Sequence, residues 1–190
     1  MDAAGWDERY AGSELVWTAE ANRFVVEQVE GLNPGTAVDL ACGEGRNAVW
    51  LAQQGWTCTG VDFSRTGLDK ARALASRAEA EVVWEQQDVL AWSGSSYDLV
   101  LLAYLHLPGP QRRSVLDAAV RAVASGGSLL LIGHDVRNLA EGVGGPQDGA
   151  LLWSPDEVTV DGFTDRRRET AVRPTANGDA LDTVVHLVRT

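Results

Sequence analysis

The sequence holds little of what marks metal sites, nucleic-acid binding or membrane insertion. Only two cysteines occur, Cys42 and Cys58, both in segments that read as core elements and without metal-ligand spacing. They are expected as small buried hydrophobes in the reduced state, and no metal is expected. Basic residues are outnumbered: 16 Lys plus Arg stand against 27 Asp plus Glu, a formal net charge of −11. Phosphate backbones require basic patches, so a nucleic-acid partner is not expected. The one basic run, Arg166 to Arg168, is flanked by Asp165 and Glu169 and reads as solvated surface. Long apolar runs are missing too. Leu129 to Ile132 is far too short to span a bilayer, and the opening MDAAGWDERY carries acids and no apolar signal core. A cytoplasmic location without a membrane partner is the expectation. No repeat, low-complexity tract or linker divides the chain, and 190 residues suit one domain with a real core.

What is present is an alternation of two apolar patterns. Short segments rich in Val, Leu and Ile predict strands at Thr36 to Ala41, Trp56 to Val61, Glu81 to Gln86, Tyr97 to Ala103 and Ser128 to Gly133. Helical spacing lies between them. Leu68, Ala71, Ala75 and Ala78 follow a candidate N-cap at Ser64, and Val115, Leu116, Ala119, Val120 and Val123 lie between Pro110 and Gly126. A helix beginning near Arg46 stops at Gly55, and an earlier one is expected over Thr18 to Glu30, ahead of the NPG turn at residues 33 to 35. Repeated strand and helix units predict an α/β fold, a doubly wound, mainly parallel sheet. The tail breaks the rhythm: Phe163 to Val172 and Leu181 to Arg189, joined through PTANGD, predict an antiparallel hairpin at one edge. Between the two patterns, Asp135 to Gly149 reads as a long loop rich in glycine, a length that usually carries function.

In such a sheet, ligands bind beyond the C-terminal strand ends. There the sequence AVDLACGEGRNAVWLA ends a strand in an acid and turns through Gly43 and Gly45 into a helix. Glycines allow a sharp turn and close ligand approach, and the free N–H groups of the next helix face the same ligand. Gly43, Gly45 and Ala48 fit the dinucleotide pattern, which alone is weak evidence. More telling are the acids that three successive strands bring to this edge: Asp39 beside the turn, Asp62 after the second strand and Asp88 after the third. A carboxylate at Asp62 can accept from both ribose hydroxyls of an adenosine, and Asp88 can accept from an adenine amino group.

The stretches VDLACGEGRNAVWLA, GVDFS, QQDVL and YDLVLLAYLHLP resemble the successive motifs of class I S-adenosylmethionine-dependent methyltransferases, and the opening WDERY is similar to that of many such enzymes. The look is closest to the small bacterial tellurite and thiopurine methyltransferases. The resemblance implies a Rossmann-like sheet of seven strands with a reversed C-terminal hairpin. It implies one domain over 1–190, with an N-terminal lid or helix in 1–33, a cofactor-binding core in 34–134, and a loop and hairpin in 135–190. It places Asp39 and the Gly43-Glu44-Gly45 backbone at the methionine end of S-adenosylmethionine, with Ala41, Cys42, Arg46 and Asn47 also as cofactor-binding residues. Asp62 falls at the ribose and Asp88 with Val89 at the adenine, with Phe63, Ser64 and Ala103 as further cofactor-binding residues. The product is S-adenosylhomocysteine. Ala41 departs from the family, which often has a further glycine there.

Rival cofactors meet physical objections. The pyrophosphate of NAD(P) in an oxidoreductase would be repelled by an acid at the glycine turn, whereas the ammonium and sulfonium of adenosylmethionine are complemented by Asp39 and Glu44. A P-loop lacks its Lys-Ser/Thr pair. A non-catalytic, methyltransferase-like binding module is the remaining alternative, although no cofactor motif is degraded. On the acceptor side, His106 and His134 follow the fourth and fifth strands. The expectation is that His134, oriented by Asp135, polarises or deprotonates the acceptor, with His106 as a second catalytic candidate; each could instead be a hydrogen-bonded packing histidine. Trp6, Tyr10, Tyr104, His106 and His134 are expected to line a pocket for a small molecule, with Trp6, Tyr10 and the Gly142 to Gly145 loop as covers.

Overall fold

A computed structural model describes residues 2–12 and 14–190. Five strands run parallel: β1 (Thr36–Leu40), β2 (Thr57–Asp62), β3 (Val82–Gln86), β4 (Tyr97–Ala103) and β5 (Val123–His134). Two more, β6 (Phe163–Thr175) and β7 (Gly178–Arg189), form the C-terminal hairpin. The seven-stranded order is β3-β2-β1-β4-β5-β7-β6, with β7 antiparallel to β5. Strand order reverses between β1 and β4, which makes their C-terminal ends the natural crevice.

Helices cover both faces: α1 (Ala3–Tyr10), α2 (Arg23–Val29), α3 (Arg46–Gln53), α4 (Arg65–Arg77), α5 (Gly109–Ala122) and the short α6 (Asn138–Glu141). Successive strand residues point to opposite faces, so the core has two halves. Val38, Leu40, Val100 and Leu102 pack with Val115 and Leu116 of α5, whereas Ala37, Leu99 and Leu101 pack with Phe24 and Val25 of α2 and Leu51 of α3. No helix among the described residues is long and apolar enough to cross a membrane.

Several expected elements change length for visible reasons. The helix expected from Thr18 begins only at Arg23, because Asn22 is its N-cap and accepts from the Phe24 N–H at 2.9 Å. The preceding residues form an irregular strap. Helix α1, which apolar spacing did not predict, is capped by Asp2 accepting from the Gly5 N–H at 3.0 Å. Strand β3 is not buried on both faces: it is a sheet edge and leaves Val83 exposed. The glycine-rich loop contains α6, and the basic run is not simply solvated. Arg167 pairs with Glu27 and Glu169 and stacks on Phe24, and Arg168 pairs with Asp165. Both cysteines are free thiols whose pKa values are pushed up by burial.

Candidate functional site

The turn after β1 is built from left-handed residues. Ala41 has φ +59°, Gly43 +54° and Gly45 +80°. The two glycines do different work. A Cβ on Gly43 would lie 2.7 Å from the Tyr10 hydroxyl, on the open side of the turn. One on Gly45 would meet Trp84 at 2.5 Å and Ala71 at 2.7 Å, so the Cβ side of Gly45 is packed against β3 and α4. Packing thus requires a glycine at Gly45 whatever its backbone meets on the other side.

Asp39 is 1% exposed, and its Oδ2 has no hydrogen-bond partner. Loss of hydration raises its pKa to about 7, against the pull of Arg46. Asp62 accepts from the Gly43 N–H through Oδ2 and from the Ser64 N–H through Oδ1, both at 2.8 Å. It thereby ties the glycine turn to the start of α4 and keeps lone pairs for a further donor. Asp88 lies at the surface after β3, one oxygen accepting from Leu90 N–H at 2.9 Å, and Val89 beside it is buried. Cys42 bonds to Val61 through its backbone, Phe63 and Ala103 are half-buried, and Ser64 caps α4 by accepting from Gly67 N–H at 3.0 Å.

The N-terminal strap lies across this turn. Asp7 takes the Ser64 hydroxyl hydrogen at 2.5 Å and the Thr66 N–H at 3.0 Å, docking α1 on α4. Tyr10 is buried at 4% exposure and stacks on Trp6 at 5.4 Å between ring centroids. Burial also pushes its phenol pKa up. Glu44 accepts from Val16 N–H and Trp17 N–H, each at 3.0 Å, and pairs with Lys70 at 3.1 Å. Its carboxylate is therefore committed to the strap, which corrects its expected role toward a cofactor cation. Arg46 reaches the strap as well, donating to Thr18 Oγ1 at 3.2 Å.

Toward β5 and β7 lies a polar cluster. Tyr104 has φ +59° and donates its hydroxyl hydrogen to Asp182 Oδ2 at 2.6 Å, while accepting from Asn22 Nδ2 at 3.1 Å. The Asn22 N–H in turn donates to Asn47 Oδ1 at 2.9 Å, linking the cluster to the glycine turn. Arg173 Nε donates to Asp182 at 2.6 Å, and its guanidinium stacks over Tyr104 at 5.6 Å. The rings of His106 and His134 are stacked 5.4 Å apart, and His134 meets the Tyr104 ring edge-on at 5.2 Å.

Two expectations about the histidines change. Asp135 does not orient His134. Neighbouring strand residues face opposite sides, and Asp135 instead accepts from Thr170 and Thr183 hydroxyls at 2.9 and 2.7 Å. The acid beside His134 is Asp182, whose Oδ1 lies 3.3 Å from Nδ1. His106 cannot take a proton as expected: its Nε2 accepts from the His134 N–H at 3.2 Å, and burial lowers its pKa to about 4. Asp182, Arg173 and Asn22 were missed by sequence reasoning. Asp182 alone left a trace, a single acid inside the apolar run ALDTVVHLV.

These residues suit S-adenosylmethionine. A buried carboxylate oxygen without a partner beside a glycine turn complements a cation, and Asp62 and Asp88 keep free lone pairs along the same edge. Residues 37–127 match a family model described as a methyltransferase domain. The ubiquinone biosynthesis O-methyltransferase of Alkalilimnicola ehrlichii is 31% identical over 112 residues, covering 56% of this chain and 44% of its own. The chain thus spans under half the length of that relative. In fold it is similar to TehB from Haemophilus influenzae (TM-score 0.75, 14% identity, 99% of this chain and 67% of that one). It is also similar to the N-methyltransferase NodS from Bradyrhizobium japonicum, solved with S-adenosyl-l-homocysteine (TM-score 0.72, 18% identity, 98% and 97%). Residues 37–127 thus carry a match to a methyltransferase domain, set on a sheet order and an acid-flanked glycine turn like those of Rossmann-like S-adenosylmethionine-dependent methyltransferases.

Proposed function

We propose that this chain transfers a methyl group from S-adenosylmethionine to a small-molecule acceptor by direct displacement. The observation that carries the reading is Asp39, buried and with an unpartnered Oδ2 beside the glycine turn. A pyrophosphate would be repelled there, and an ammonium or sulfonium would be held. When bound, S-adenosylmethionine supplies a methyl group already activated on a sulfonium. Asp39 holds the cationic methionine end, with Arg46 and Asn47 at the same turn. Asp62 takes the ribose hydroxyls with its remaining lone pairs, and Asp88 and the Val89 N–H take the adenine. Alignment of acceptor and methyl, which can contribute about 7–11 kcal/mol, is then the protein's main task.

The strap in 1–33 acts as the cover, residues 34–134 as the cofactor core, and 135–190 as the acceptor wall of a single domain. Trp6, Tyr10, Tyr104, His106 and His134 enclose a pocket suited to a small molecule. The O-methyltransferase relatives favour an acceptor hydroxyl among the small molecules, and the enzyme is assigned to the cytoplasm.

Calorimetric titration with S-adenosylhomocysteine and with NAD tests the reading. Binding of the former is expected, tightening as pH rises through about 7, where Asp39 ionises, and weakening in Asp39→Asn. Binding of NAD alone overturns it. A screen of phenols, thiols, amines and tellurite for S-adenosylhomocysteine release identifies the acceptor. Binding without any turnover would indicate a non-catalytic module.

A further inference from the structure

The cluster beyond β4 and β5 contains three groups able to exchange a proton, and their contacts sort them. Tyr104 already donates its hydroxyl hydrogen to Asp182, and burial beside that acid pushes its pKa up, so it is not a base. His106 has spent its Nε2 lone pair on the His134 backbone N–H. His134 remains. Its Nδ1 is buried without an aligned hydrogen-bond partner, yet Asp182 Oδ1 lies 3.3 Å away. A small ring rotation completes Nδ1–H···Oδ1 and leaves the Nε2 lone pair free.

The surroundings hold that ring from three sides. The His106 ring stacks on one side at an interplanar angle of 22°, and Tyr104 meets an edge. Gly145 covers the ring: a Cβ there would lie 2.7 Å from Cγ and Cδ2 and 2.9 Å from Nε2. Asn138 fixes this loop, donating to the Val143 and Gly144 carbonyls at 3.3 and 2.9 Å and accepting from the Leu181 N–H at 2.7 Å. The imidazole side chain keeps 13% of its surface open, whereas Asp182 is 0% exposed and neutralised by Arg173. A base hemmed in by its neighbours, with its second nitrogen 3.3 Å from a buried carboxylate, is a small rotation short of the arrangement proton abstraction requires.

We propose that Asp182 positions His134 to take a proton, and hence that the methyl acceptor carries a weakly acidic O–H or S–H. This rests on the methyltransferase reading above. In the step, the acceptor oxygen or sulfur forms a bond to the methyl carbon as the methyl–sulfur bond breaks, its electron pair staying on sulfur. The acceptor proton moves to His134 Nε2, and the imidazolium so formed is stabilised at Nδ1 by Asp182 before it loses the proton to solvent. An acceptor that arrives as an anion, such as tellurite, would need no such pair.

The groups facing His134 are Tyr104 and His106 after β4, Asp182 on β7 and, through Asp182, Arg173 on β6; Arg112 of α5 bears on His106. A ¹⁵N NMR titration of the histidines, in wild type and Asp182→Asn with S-adenosylhomocysteine present, tests the pairing without turnover. Expected are the Nδ1–H tautomer of His134 in wild type and a move of the population toward Nε2–H in the variant. An Nε2–H tautomer in wild type, or the same tautomer balance in both proteins, overturns the proposal. Should Asp182→Asn not fold, the wild-type tautomer and His134→Gln decide. With phenols and thiols of graded acidity, His134→Gln is expected to lower kcat about 100-fold or more on the least acidic and hardly at all on those ionised at the assay pH. Equal losses across the series overturn it. Failure of S-adenosylhomocysteine to bind, with the His134 tautomer as expected, would strike the methyltransferase reading instead.

Discussion

Tyr104 and Asp182 are joined by a 2.6 Å hydrogen bond that ties the end of β4 to the middle of the C-terminal hairpin. The tyrosine holds it from a left-handed backbone, φ +59°, with its N–H donated to the Ile132 carbonyl at 2.7 Å. A bulky residue in that conformation carries strain of about 1–3 kcal/mol, which the surrounding contacts must offset. Removing the hydroxyl leaves a buried carboxylate one donor short. Tyr104→Phe is therefore expected to cost about 1–3 kcal/mol in urea unfolding, with little change in the slope of the transition.

Ala41 presents the same backbone problem without a compensating side chain. At φ +59° its Cβ is a liability that glycine lacks. Ala41→Gly should raise stability by about 0.5–1 kcal/mol, the relief of strain exceeding the added freedom of the unfolded chain. Thermal melts of the two proteins would register this as a modest rise in Tm.

The two glycines of the turn should separate in effect. An alanine at Gly45 drives a methyl into Trp84 and Ala71 at φ +80° and should destabilise the whole domain, by about 2–4 kcal/mol. At Gly43 it pushes the Tyr10 hydroxyl, the far end of a side chain on the strap. Gly43→Ala should instead loosen α1, read as faster trypsin cleavage at Arg9, with a smaller change in global stability.

Glu44 is the clip of the strap. Glu44→Gln keeps its shape but loses the ion pair with Lys70 and weakens the bonds to Val16 and Trp17. Hydrogen exchange of those two amides is expected to quicken at least about tenfold, since each charge-assisted bond contributes about 1.5–3 kcal/mol locally. Amides in β4 and β5 should be unaffected.

His186 gives a signed pH effect. It is fully buried between Ser128 Oγ at 3.0 Å and Gln28 Oε1 at 3.3 Å, and burial lowers its pKa to about 4. An unfolded histidine protonates near about 6.5, so below that pH the unfolded chain binds more protons and the fold loses stability until about pH 4. The loss approaches about 3 kcal/mol. Asp39, with its pKa raised to about 7, contributes in the opposite direction as pH falls, so the wild-type curve alone mixes the two. The comparison with His186→Gln isolates the histidine: the stability difference between the proteins should shift against wild type between pH 6.5 and 4. Parallel curves would refute this.

The glycine turn and Asp39 were legible because strand, turn and helix are contiguous, and Asp62 and Asp88 because each stands at or just beyond the end of a parallel strand, on the same edge of the sheet. The same reasoning failed where partners are distant in sequence. Asp135 was the nearest acid to His134 along the chain, but one residue in a strand is one face, and the acid in space is Asp182. Glu44 read as a cofactor group because it stands between the glycines, yet its partners come from residues 16, 17 and 70. Tyr10 is buried beside the glycine turn, stacked on Trp6, where an aromatic before the first core helix finds packing. The length of the helix before β1 was misjudged because Asn22, a good cap, was read as interior.

The sheet order places β7, the later strand of the hairpin, inside β6. A chain emerging from the ribosome can therefore complete β1 to β5 and the whole adenosine edge while β6 still has no strand to join. Asp182 arrives with β7, and only then can the cluster of Tyr104, His134 and Arg173 around it close. Synthesis proceeds from the N-terminus, so the strands of the glycine turn and its acids leave the ribosome before the one strand that brings Asp182.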